Sequence, residues 1–330
     1  MSRRVYLTGA TGYIGQPLAL RLAAAGHEVR ALVRASSDPA RVASLVDGGV
    51  ACFPGDLADR ASLREGMSGA DWVVHAAAEL DPAAPAERMR EANVAGAENV
   101  ASLASKLGTG RFLLLSSIAA FAGSPDDGTP ASEETPRRPD PPSLYSATKR
   151  AGEDAVRAWA ARGGLRLNVV WPSLVYGPPG KKRGTNALLR RYAKGRVPVV
   201  VGADRRSSWI YLEDLIEGLL RVIERAPAGR DFLMTGDVAT VGSVVRRVVA
   251  LAGVRPPRWS LPVPVAKAAL ALATPYYRLR GWRPPASADQ LDSLARHWAF
   301  DDARARRELD WRPRTLDEGL PETIRHLVAA

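Results

Sequence analysis

"TGATGYIG", residues Thr8 to Gly15, places glycines at positions 9, 12 and 15 between an apolar run and a segment with helical spacing. The run 4–8 predicts a strand and the segment 13–25 predicts a helix. Between them, the first glycine permits a tight turn, the second lets backbone approach a pyrophosphate, and the third allows close packing of the helix. The free N–H groups of the helix attract phosphate. We therefore expect a dinucleotide-binding turn formed by Gly9, Thr11, Gly12, Tyr13, Ile14 and Gly15.

Segments with strand and helix patterns alternate from this turn through the first half of the chain. Predicted strands are 4–8, 28–33, 71–78, 111–117 and 165–172, and predicted helices are 13–25, 59–69, 87–108 and 145–162. The strands are almost continuously apolar, as in a parallel sheet that is covered on both faces. The pattern predicts an α/β fold, a doubly wound parallel sheet of the Rossmann type, with a smaller C-terminal substrate domain.

The domain organisation follows from where this alternation weakens. We expect the dinucleotide-binding domain to span residues 1–172 and the substrate-binding domain to take most of 173–330. A helix and strand pattern at 209–235 is expected to rejoin the first domain.

The end of the second predicted strand indicates which form of the cofactor is bound. An acidic residue there would bind the ribose 2′-hydroxyl of NAD, but this chain has Arg34. A guanidinium suits the 2′-phosphate of NADP, and Ser36 and Ser37 add hydroxyl donors. The alternative is that Arg34 is one surface arginine among many. NADP(H) is therefore favoured over NAD(H).

Two further segments are expected to line the cofactor. Asp56 and Leu57, in "GDL", follow the third strand, where the carboxylate is placed to accept from the adenine amino group. The alternative for Asp56 is a helix cap. Ala76, Ala77 and Ala78 form an end of small residues after the next strand, able to lie flat against the cofactor.

Tyr145 and Lys149, in "YSATK", follow a proline-rich loop and open a predicted helix. Positions four apart share a helix face, so both polar tips are able to act on one molecule. The alternative is a solvated surface face, because Tyr-x-x-x-Lys is common by chance.

In this order and spacing, the motifs resemble the extended short-chain dehydrogenase/reductase family, also called the NAD-dependent epimerase/dehydratase superfamily. The resemblance runs nearly end to end, through TGATGYIG, GDL, HAAA, NVAGAENV, LLLSS, YSATK, WPSLVYGP and FDDARARRELDWRPRTLDEGL. It implies that Tyr145 is the general acid/base, that the Lys149 ammonium lowers the pKa of the phenol and holds the nicotinamide ribose, and that Ser117 binds the substrate oxygen. Ser116 is the less favoured neighbour. The resemblance also implies a structural or proton-relay role for Asn93, among the residues around the cofactor, and places Pro172 and Ser173 beside the nicotinamide.

Departures from the family pattern narrow the substrate. Ile118 and Ala119 follow Ser117 where dehydratases have an acidic pair, and Leu174 stands where nucleotide-sugar epimerases have asparagine. Ser207 replaces an arginine that those epimerases often carry, although the adjacent Arg206 is a candidate substitute. "SSIAAFAG", "PSLVYGP" and the segment from Leu261 are most similar to the 3β-hydroxysteroid dehydrogenase and dihydroflavonol reductase branch.

The expected protein is an NADP(H)-dependent oxidoreductase that interconverts a secondary alcohol and a ketone on a bulky, largely apolar ring substrate, steroid- or flavonoid-like. A nucleotide-sugar epimerase or reductase with retained NAD(P) is one alternative. A non-catalytic dinucleotide sensor is another, although a sensor need not keep Ser117, Tyr145 and Lys149. The Trp- and Leu-rich second half suits an apolar pocket, or it only forms a domain core.

Composition also bears on nucleic-acid binding, cellular location and metal binding. The net charge of +11 makes nucleic-acid binding a function to consider. However, the basic residues are interleaved with acids, and no nucleic-acid module accompanies the densest cluster, 181–183. A single cysteine, Cys52, fits a cytoplasmic location. The four histidines have no ligand spacing, so no metal is expected. The resemblance implies a homodimer that uses the Tyr145 helix.

The most apolar long segment is 261–277. It carries Lys267 and three prolines and lacks the length of a membrane span. We expect it to be a buried or pocket-lining helix. Peripheral contact with a membrane is the alternative.

Overall fold

A seven-stranded parallel sheet forms the centre of the protein in a computed structural model that describes residues 2–179, 184–282 and 287–329. The strands are β1 (Arg4–Thr8), β2 (Glu28–Val33), β3 (Ala51–Pro54), β4 (Trp72–His75), β5 (Arg111–Leu115), β6 (Leu167–Pro172), β7 (Leu174–Tyr176), β8 (Val199–Val201), β9 (Arg206–Tyr211), β10 (Phe232–Met234), β11 (Asp237–Thr240) and β12 (Trp259–Leu261). The large sheet has the order β10-β6-β5-β4-β1-β2-β3. This order confirms the predicted doubly wound sheet, with the direction of winding reversing between β1 and β4.

Helices cover both faces of the sheet. They are α1 (Gly15–Ala24), α2 (Pro39–Asp47), α3 (Arg60–Met67), α4 (Ala86–Arg90), α5 (Gly96–Lys106), α6 (Leu144–Trp159), α7 (Gly184–Ala193), α8 (Leu212–Arg225), α9 (Val241–Leu251), α10 (Val263–Leu279), α11 (Ala288–Leu294), α12 (Ala303–Leu309) and α13 (Leu316–Ala329). One core packs α1, α8 and α12 against the sheet, and the other packs α3, α5 and α6. Alternate strand residues enter opposite cores: Val5 and Leu7 the first, Tyr6 the second.

The predicted element bounds hold at the first two strands and shift elsewhere. The predicted strand 71–78 ends at His75, because the alanines after it form a loop against the turn that follows β1. The predicted helix 87–108 is three pieces, α4, a π-helical turn at Glu91–Ala95, and α5. The π-helical turn places the buried Asn93 against α6.

The second half of the chain packs on the carboxyl edge of the large sheet. It contributes the small sheets β11-β9-β7 and β12-β8 and a third core around Tyr176 and Tyr211. It also returns to the large sheet: β10 pairs with β6, Phe300 joins one core, and Trp311 joins the other. The domain boundaries at 172 and 209–235 stay a prediction.

The expectation that residues 261–277 form a buried or pocket-lining helix is wrong for most of that segment. The segment forms α10, in which only Val263 and Ala266 are buried. Leu272 and Leu279 are 83% and 85% exposed. The helix is apolar around most of its circumference, but only one side has a core to pack against, so the opposite side faces outward.

Within the three described stretches, the helices are too short or too polar to cross a bilayer. The basic cluster at 181–183 lies outside the described residues.

Candidate active site

The parallel sheet brings the predicted site residues to one edge. Thr8 pairs with His75, His75 with Leu114, and Leu115 with Val170. The segments that follow β1, β4, β5 and β6 therefore leave the sheet side by side, next to the point where the strand order reverses. In open α/β sheets this crevice is where ligands bind.

The glycine turn is closed by its own backbone. Gly9 has φ 76°, and the Gly12 amide donates to the Gly9 carbonyl at 2.8 Å. A Cβ at Gly9 would lie 2.7 Å from the Ala76–Ala77 backbone, and one at Gly15 would lie 2.1 Å from the Gly9 oxygen. A Cβ at Gly12 would lie 2.9 Å from the same oxygen. Side chains at these positions would force the turn away from the sheet.

The start of α1 fits a phosphate. Ile14 occupies the N-cap position, and no side chain there hydrogen-bonds the first amides. Such an N-terminus carries positive potential and donors for an anion. Uncapped amides beside a glycine cradle are what the pyrophosphate of a dinucleotide requires.

The Arg34 side chain is exposed at the end of β2 and, among the described residues, makes no hydrogen bond or ion pair. The Arg34 amide donates to the Ser37 hydroxyl at 3.1 Å, and the Thr11 and Ser37 hydroxyls are 3.5 Å apart. Arg41, which the sequence reasoning missed, donates to the Thr11 carbonyl at 2.8 Å. The Arg41 guanidinium is therefore held at the glycine turn, and Arg34 is exposed at the end of the adjacent strand β2. Arg41 stands seven residues after Arg34, and this position was the sequence signal that could have identified it.

Asp56 and Leu57 occupy the turn after β3. Asp56 is exposed, and its carboxylate accepts from the Ala58 amide at 3.0 Å. The cap of α3 comes instead from Asp59, which accepts from Ala61 at 2.9 Å. Leu57 packs against Gly96 on α5. Among the described residues, the second Asp56 carboxylate oxygen makes no hydrogen bond, so it is available to a ligand.

Asn93 ties the loop after β4 to the helix that carries Tyr145. Its side chain accepts from the Glu79 amide at 2.7 Å and donates to the Thr148 hydroxyl at 3.1 Å. Gly152 on α6 meets the Asn93 backbone so closely that a Cβ would lie 2.0 Å from the Asn93 oxygen. These contacts favour the structural role for Asn93 over direct contact with the cofactor. Ala76, Ala77 and Ala78 are partly exposed in the loop that this bond anchors.

Ser117, Tyr145 and Lys149 meet at the carboxyl end of β5. Ser117 follows that strand, and its hydroxyl accepts from the Ala119 amide at 3.1 Å. Tyr145 and Lys149 lie in the first turns of α6, which Ser143 caps. The Lys149 Nζ donates to the Leu115 carbonyl at 3.0 Å, so the amine is anchored two residues before Ser117.

Burial shifts the pKa values of Tyr145 and Lys149. It raises the pKa of Tyr145 to about 12, against a smaller opposite effect of the hydrogen bond with Ser117. It lowers the pKa of Lys149 to about 8, against the attraction of Glu153. The pKa of Tyr145 therefore lies above its usual value, because loss of water disfavours the charged form of the phenol. The expected lowering of that pKa by the Lys149 ammonium stays a prediction.

His75 lies beneath the same site in its neutral form. Burial, with the charge of Lys149, lowers its pKa to about 3. Its Nδ1 is 2.8 Å from the Thr8 hydroxyl, which in turn accepts from the Ala77 amide at 3.4 Å. Across the described ranges, no three His, Cys, Asp or Glu side chains are grouped to hold a metal ion.

Glu153 is a second residue that the sequence reasoning missed. It is buried one turn beyond Lys149, and it accepts from the Ser116 hydroxyl and the Trp171 indole, both at 2.7 Å. Arg137 and Arg157 also bond to it. Burial pushes the pKa of Glu153 up, but the two arginines outweigh it and hold that pKa below its usual range. Its spacing of four from Lys149 was the available signal.

The remaining predicted residues frame the crevice. Pro172 ends β6, and the buried Ser173 donates to the Thr235 carbonyl at 2.8 Å. The Tyr13 hydroxyl donates to the Gly177 carbonyl at 2.6 Å and accepts from Asn186 at 2.8 Å. Its side chain joins the glycine loop to the segment after β7.

The substitutions that distinguish this chain from sugar epimerases lie on β7 and β9. Leu174 is partly exposed and Ser207 is buried. Arg206, the candidate substitute, donates to the Gly128 carbonyl at 2.9 Å. Its guanidinium is therefore engaged with the loop before Tyr145.

The chain also matches a family model. The model described as the NAD dependent epimerase/dehydratase family matches residues 5–235. The chain belongs to this family. Membership makes it an NAD(P)-dependent enzyme of the extended short-chain dehydrogenase/reductase type.

Proteins that are named for different reactions are similar to this chain. The 4-hydroxy-2-methyl-3-oxo-4-farnesyl-3,4-dihydroquinoline-1-oxide ketoreductase of Stigmatella aurantiaca is 31% identical, covering 96% of this chain and 94% of that protein. The UDP-glucose 4-epimerase of Vibrio cholerae is 27% identical, covering 100% and 97%. The crystal structure of gox2253 superposes with a TM-score of 0.85 at 28% identity and 98% coverage of both chains.

Proposed function

We propose that this protein is an NADP(H)-dependent reductase of a ketone on a bulky, largely apolar ring compound, or a dehydrogenase of the corresponding alcohol. The observation that carries the proposal is the meeting of Ser117, Tyr145 and Lys149 at the end of β5, beside the glycine turn. These three side chains supply a proton donor, a cation and a hydroxyl within one crevice.

In ketone reduction, Tyr145 gives its phenolic proton to the carbonyl oxygen as that oxygen gains charge. With a pKa of about 12, the phenol carries its proton at neutral pH, which is the form that reduction needs. The Ser117 hydroxyl donates to the same oxygen. The bound nicotinamide supplies the hydride for reduction or accepts it in oxidation.

Lys149 stabilises the phenolate that is left behind. It lies four residues after Tyr145 on the same helix face, and its link to the Leu115 carbonyl fixes its Nζ near Ser117. With a pKa of about 8, the amine is mostly charged at neutral pH. Charge attraction in a dry site is stronger than in water.

The choice of NADP as the preferred cofactor is supported by four residues near the end of β2, namely Arg34, Arg41, Ser37 and Thr11. The two guanidinium groups offer charge-assisted donors to a 2′-phosphate, and no acidic residue stands at the end of β2. The uncapped amides of α1 would hold the pyrophosphate. The Asp56 carboxylate would accept from the adenine amino group.

The ring-ketone substrate is favoured by the Stigmatella aurantiaca relative, whose name gives a farnesylated dihydroquinoline ketone. Leu174 presents an apolar surface where sugar epimerases have asparagine. The Vibrio cholerae relative favours the alternative, a nucleotide-sugar epimerase. The engagement of Arg206 with Gly128 weighs against a grip on a sugar diphosphate.

A substrate panel separates the two candidates. Purified protein is mixed with NADPH or NADH and with sterol, flavonoid and quinolone ketones, and nicotinamide absorbance is followed. We expect NADPH oxidation with at least one ring ketone. Conversion of UDP-glucose to UDP-galactose without net change in nicotinamide absorbance would identify an epimerase and overturn the proposal.

Tyr145→Phe tests the assigned proton donor. We expect NADPH binding, measured by fluorescence, to be retained while turnover falls by roughly 10²–10⁴-fold, as expected for loss of general acid catalysis. Tyr276→Phe, on the outer side of α10, is the matched control and should turn over like the wild type. Unchanged turnover in Tyr145→Phe would exclude this residue.

A further inference from the structure

The outer side of α10 carries a row of apolar side chains that pack against no described residue of the core. Val265, Leu272, Tyr276 and Leu279 are 51%, 83%, 50% and 85% exposed. Their spacings of seven, four and three residues place them on one helix face. We call these four residues the α10 stripe. The core-facing side is a different one, through Val263 and Ala266.

The segment of the chain that contains the stripe is basic. Residues 238–288 contain no Asp or Glu, although the chain has 35 acidic residues in 330. Arg255 and Arg258 precede the helix, and Arg278 and Arg280 lie at its end. Among the described residues these four arginines form no ion pair, whereas Lys267 pairs with Asp292. A cationic rim around an apolar row attracts an anionic partner.

Exposed aromatic side chains stand before and after α10 in the chain. Trp259 is 67% and Trp282 is 57% exposed. Tyr276 and Trp282 pack edge to face at 6.3 Å, and the Arg280 guanidinium lies 5.5 Å and 5.8 Å from the two rings. Tryptophan, tyrosine and arginine combine an apolar body with a polar end, which suits the boundary between lipid headgroups and acyl chains.

We propose that the α10 stripe docks on the surface of an anionic lipid bilayer, with the helix axis in the plane of the interface. The exposed leucines enter the acyl boundary, and the four arginines meet the headgroup phosphates. A second copy of this chain is disfavoured as the occupant, because a symmetric contact would bring two cationic rims together. This inference is independent of the reaction that the protein catalyses.

Vesicle sedimentation tests the proposal with the 330-residue chain. The vesicles are phosphatidylcholine alone, or phosphatidylcholine with phosphatidylglycerol. We expect binding to the anionic vesicles, with weaker binding as salt is added, and little binding to the neutral ones. Absence of binding to anionic vesicles, or equal binding to both kinds, would overturn the proposal.

Leu272→Ser with Leu279→Ser removes the apolar contact without touching the core. We expect vesicle affinity to fall by about a hundredfold or more, since two large apolar side chains no longer leave water. Arg278→Gln with Arg280→Gln should weaken affinity by roughly tenfold. The matched control is Val46→Ser with Val328→Ser, two exposed apolar residues on other helices, and it should bind like the wild type.

Light scattering distinguishes the competing occupant. The monomer and dimer populations of the wild type and of the leucine variant should be the same. Two results together would contradict the proposal and assign the stripe to a second copy of the chain. The wild type would be a dimer that dissociates in the leucine variant, and the two proteins would bind vesicles equally. Circular dichroism establishes that each variant is folded.

Discussion

At the scale of single residues, burial acts in opposite directions on the two titrating groups of the site. The pKa of Tyr145 rises to about 12 and the pKa of Lys149 falls to about 8, so both neutral forms are favoured. A protonated phenol is suited to giving a proton to a ketone. Oxidation of an alcohol requires the phenolate, which burial makes scarce at neutral pH.

The pH dependence of the two directions should therefore differ. Ketone reduction should be level through neutral pH and fall above about pH 8, as Lys149 loses its charge. Alcohol oxidation should increase with pH, because the phenolate fraction grows toward the pKa of Tyr145. Plots of kcat/KM against pH in both directions check this. A reduction rate that increases above pH 8 would contradict it.

Lys149→Met should stabilise the protein while removing its activity. The pKa of Lys149 is lower in the folded chain than in the unfolded one, so the folded state bears the full cost of a buried charge below pH 8. That cost fades as pH rises from 8 toward the ordinary value. We expect a gain of roughly 2–3 kcal/mol in unfolding free energy at pH 7 that shrinks toward pH 10.

Denaturant unfolding at both pH values measures this gain. Lys106→Met, on the exposed end of α5, is the matched control and should change stability by less than about 0.5 kcal/mol. A Lys149→Met variant that is less stable than the wild type at pH 7 would show that the Leu115 contact outweighs the cost of burial.

Arg34→Asp should move the cofactor preference from NADP toward NAD. The substitution removes a charge-assisted donor worth about 1.5–3 kcal/mol, or roughly 10–100-fold in NADPH affinity, and supplies an acceptor for a 2′-hydroxyl. Calorimetric titration with both cofactors gives the ratio. Arg64→Asp, exposed on α3, serves as the control, and equal ratios in all three proteins would make Arg34 a bystander.

At the scale of elements, α6 connects the chemistry to the sheet. Its first turns carry Tyr145 and Lys149, and its buried Glu153 bonds to Ser116 after β5 and to Trp171 in β6. Arg157 extends the network to Asp231 at 2.7 Å, beside β10. The helix therefore holds the acid/base at a fixed distance from three strand ends.

Glu153→Gln should loosen this anchor. Arg137 and Arg157 would lose their buried counter-charge, at a cost of about 3–5 kcal/mol in unfolding free energy. Asp154→Asn, next to it but exposed, should cost less than about 0.5 kcal/mol. Chemical denaturation of both variants compares them, and equal stabilities would mean that the buried carboxylate contributes little.

At the scale of the whole molecule, the C-terminal segment closes both halves into one packed unit. Phe300 lies edge to face with Phe121 at 5.3 Å and pairs with Ala131 in the loop before Tyr145. The Trp311 indole donates to the Asp214 carbonyl at 2.8 Å. Residues beyond 235, where the family model ends, thus complete the cores of the large sheet.

We therefore expect a single cooperative unfolding transition for both halves. Phe300→Ala should lower the unfolding free energy by about 3–5 kcal/mol and leave one transition. Calorimetry checks the number of transitions, and Val46→Ala is the exposed control. Two separate transitions in the wild type would show that the halves are independent domains.

The sequence by itself determined the doubly wound sheet and the family, because apolar strands and spaced glycines are local patterns whose physical requirements hold in any context. It also put Ser117, Tyr145 and Lys149 in order along the chain. It did not reveal Arg41 or Glu153, whose partners lie on other elements.

Only the tertiary structure decided how these groups are charged and which apolar faces are covered. The pKa values of Tyr145 and Lys149 depend on how much water surrounding elements exclude, and spacing in the chain does not measure that. In the same way, α10 and the core helices are similarly apolar in sequence. Packing left one side of α10 uncovered because none of the described elements passes over it.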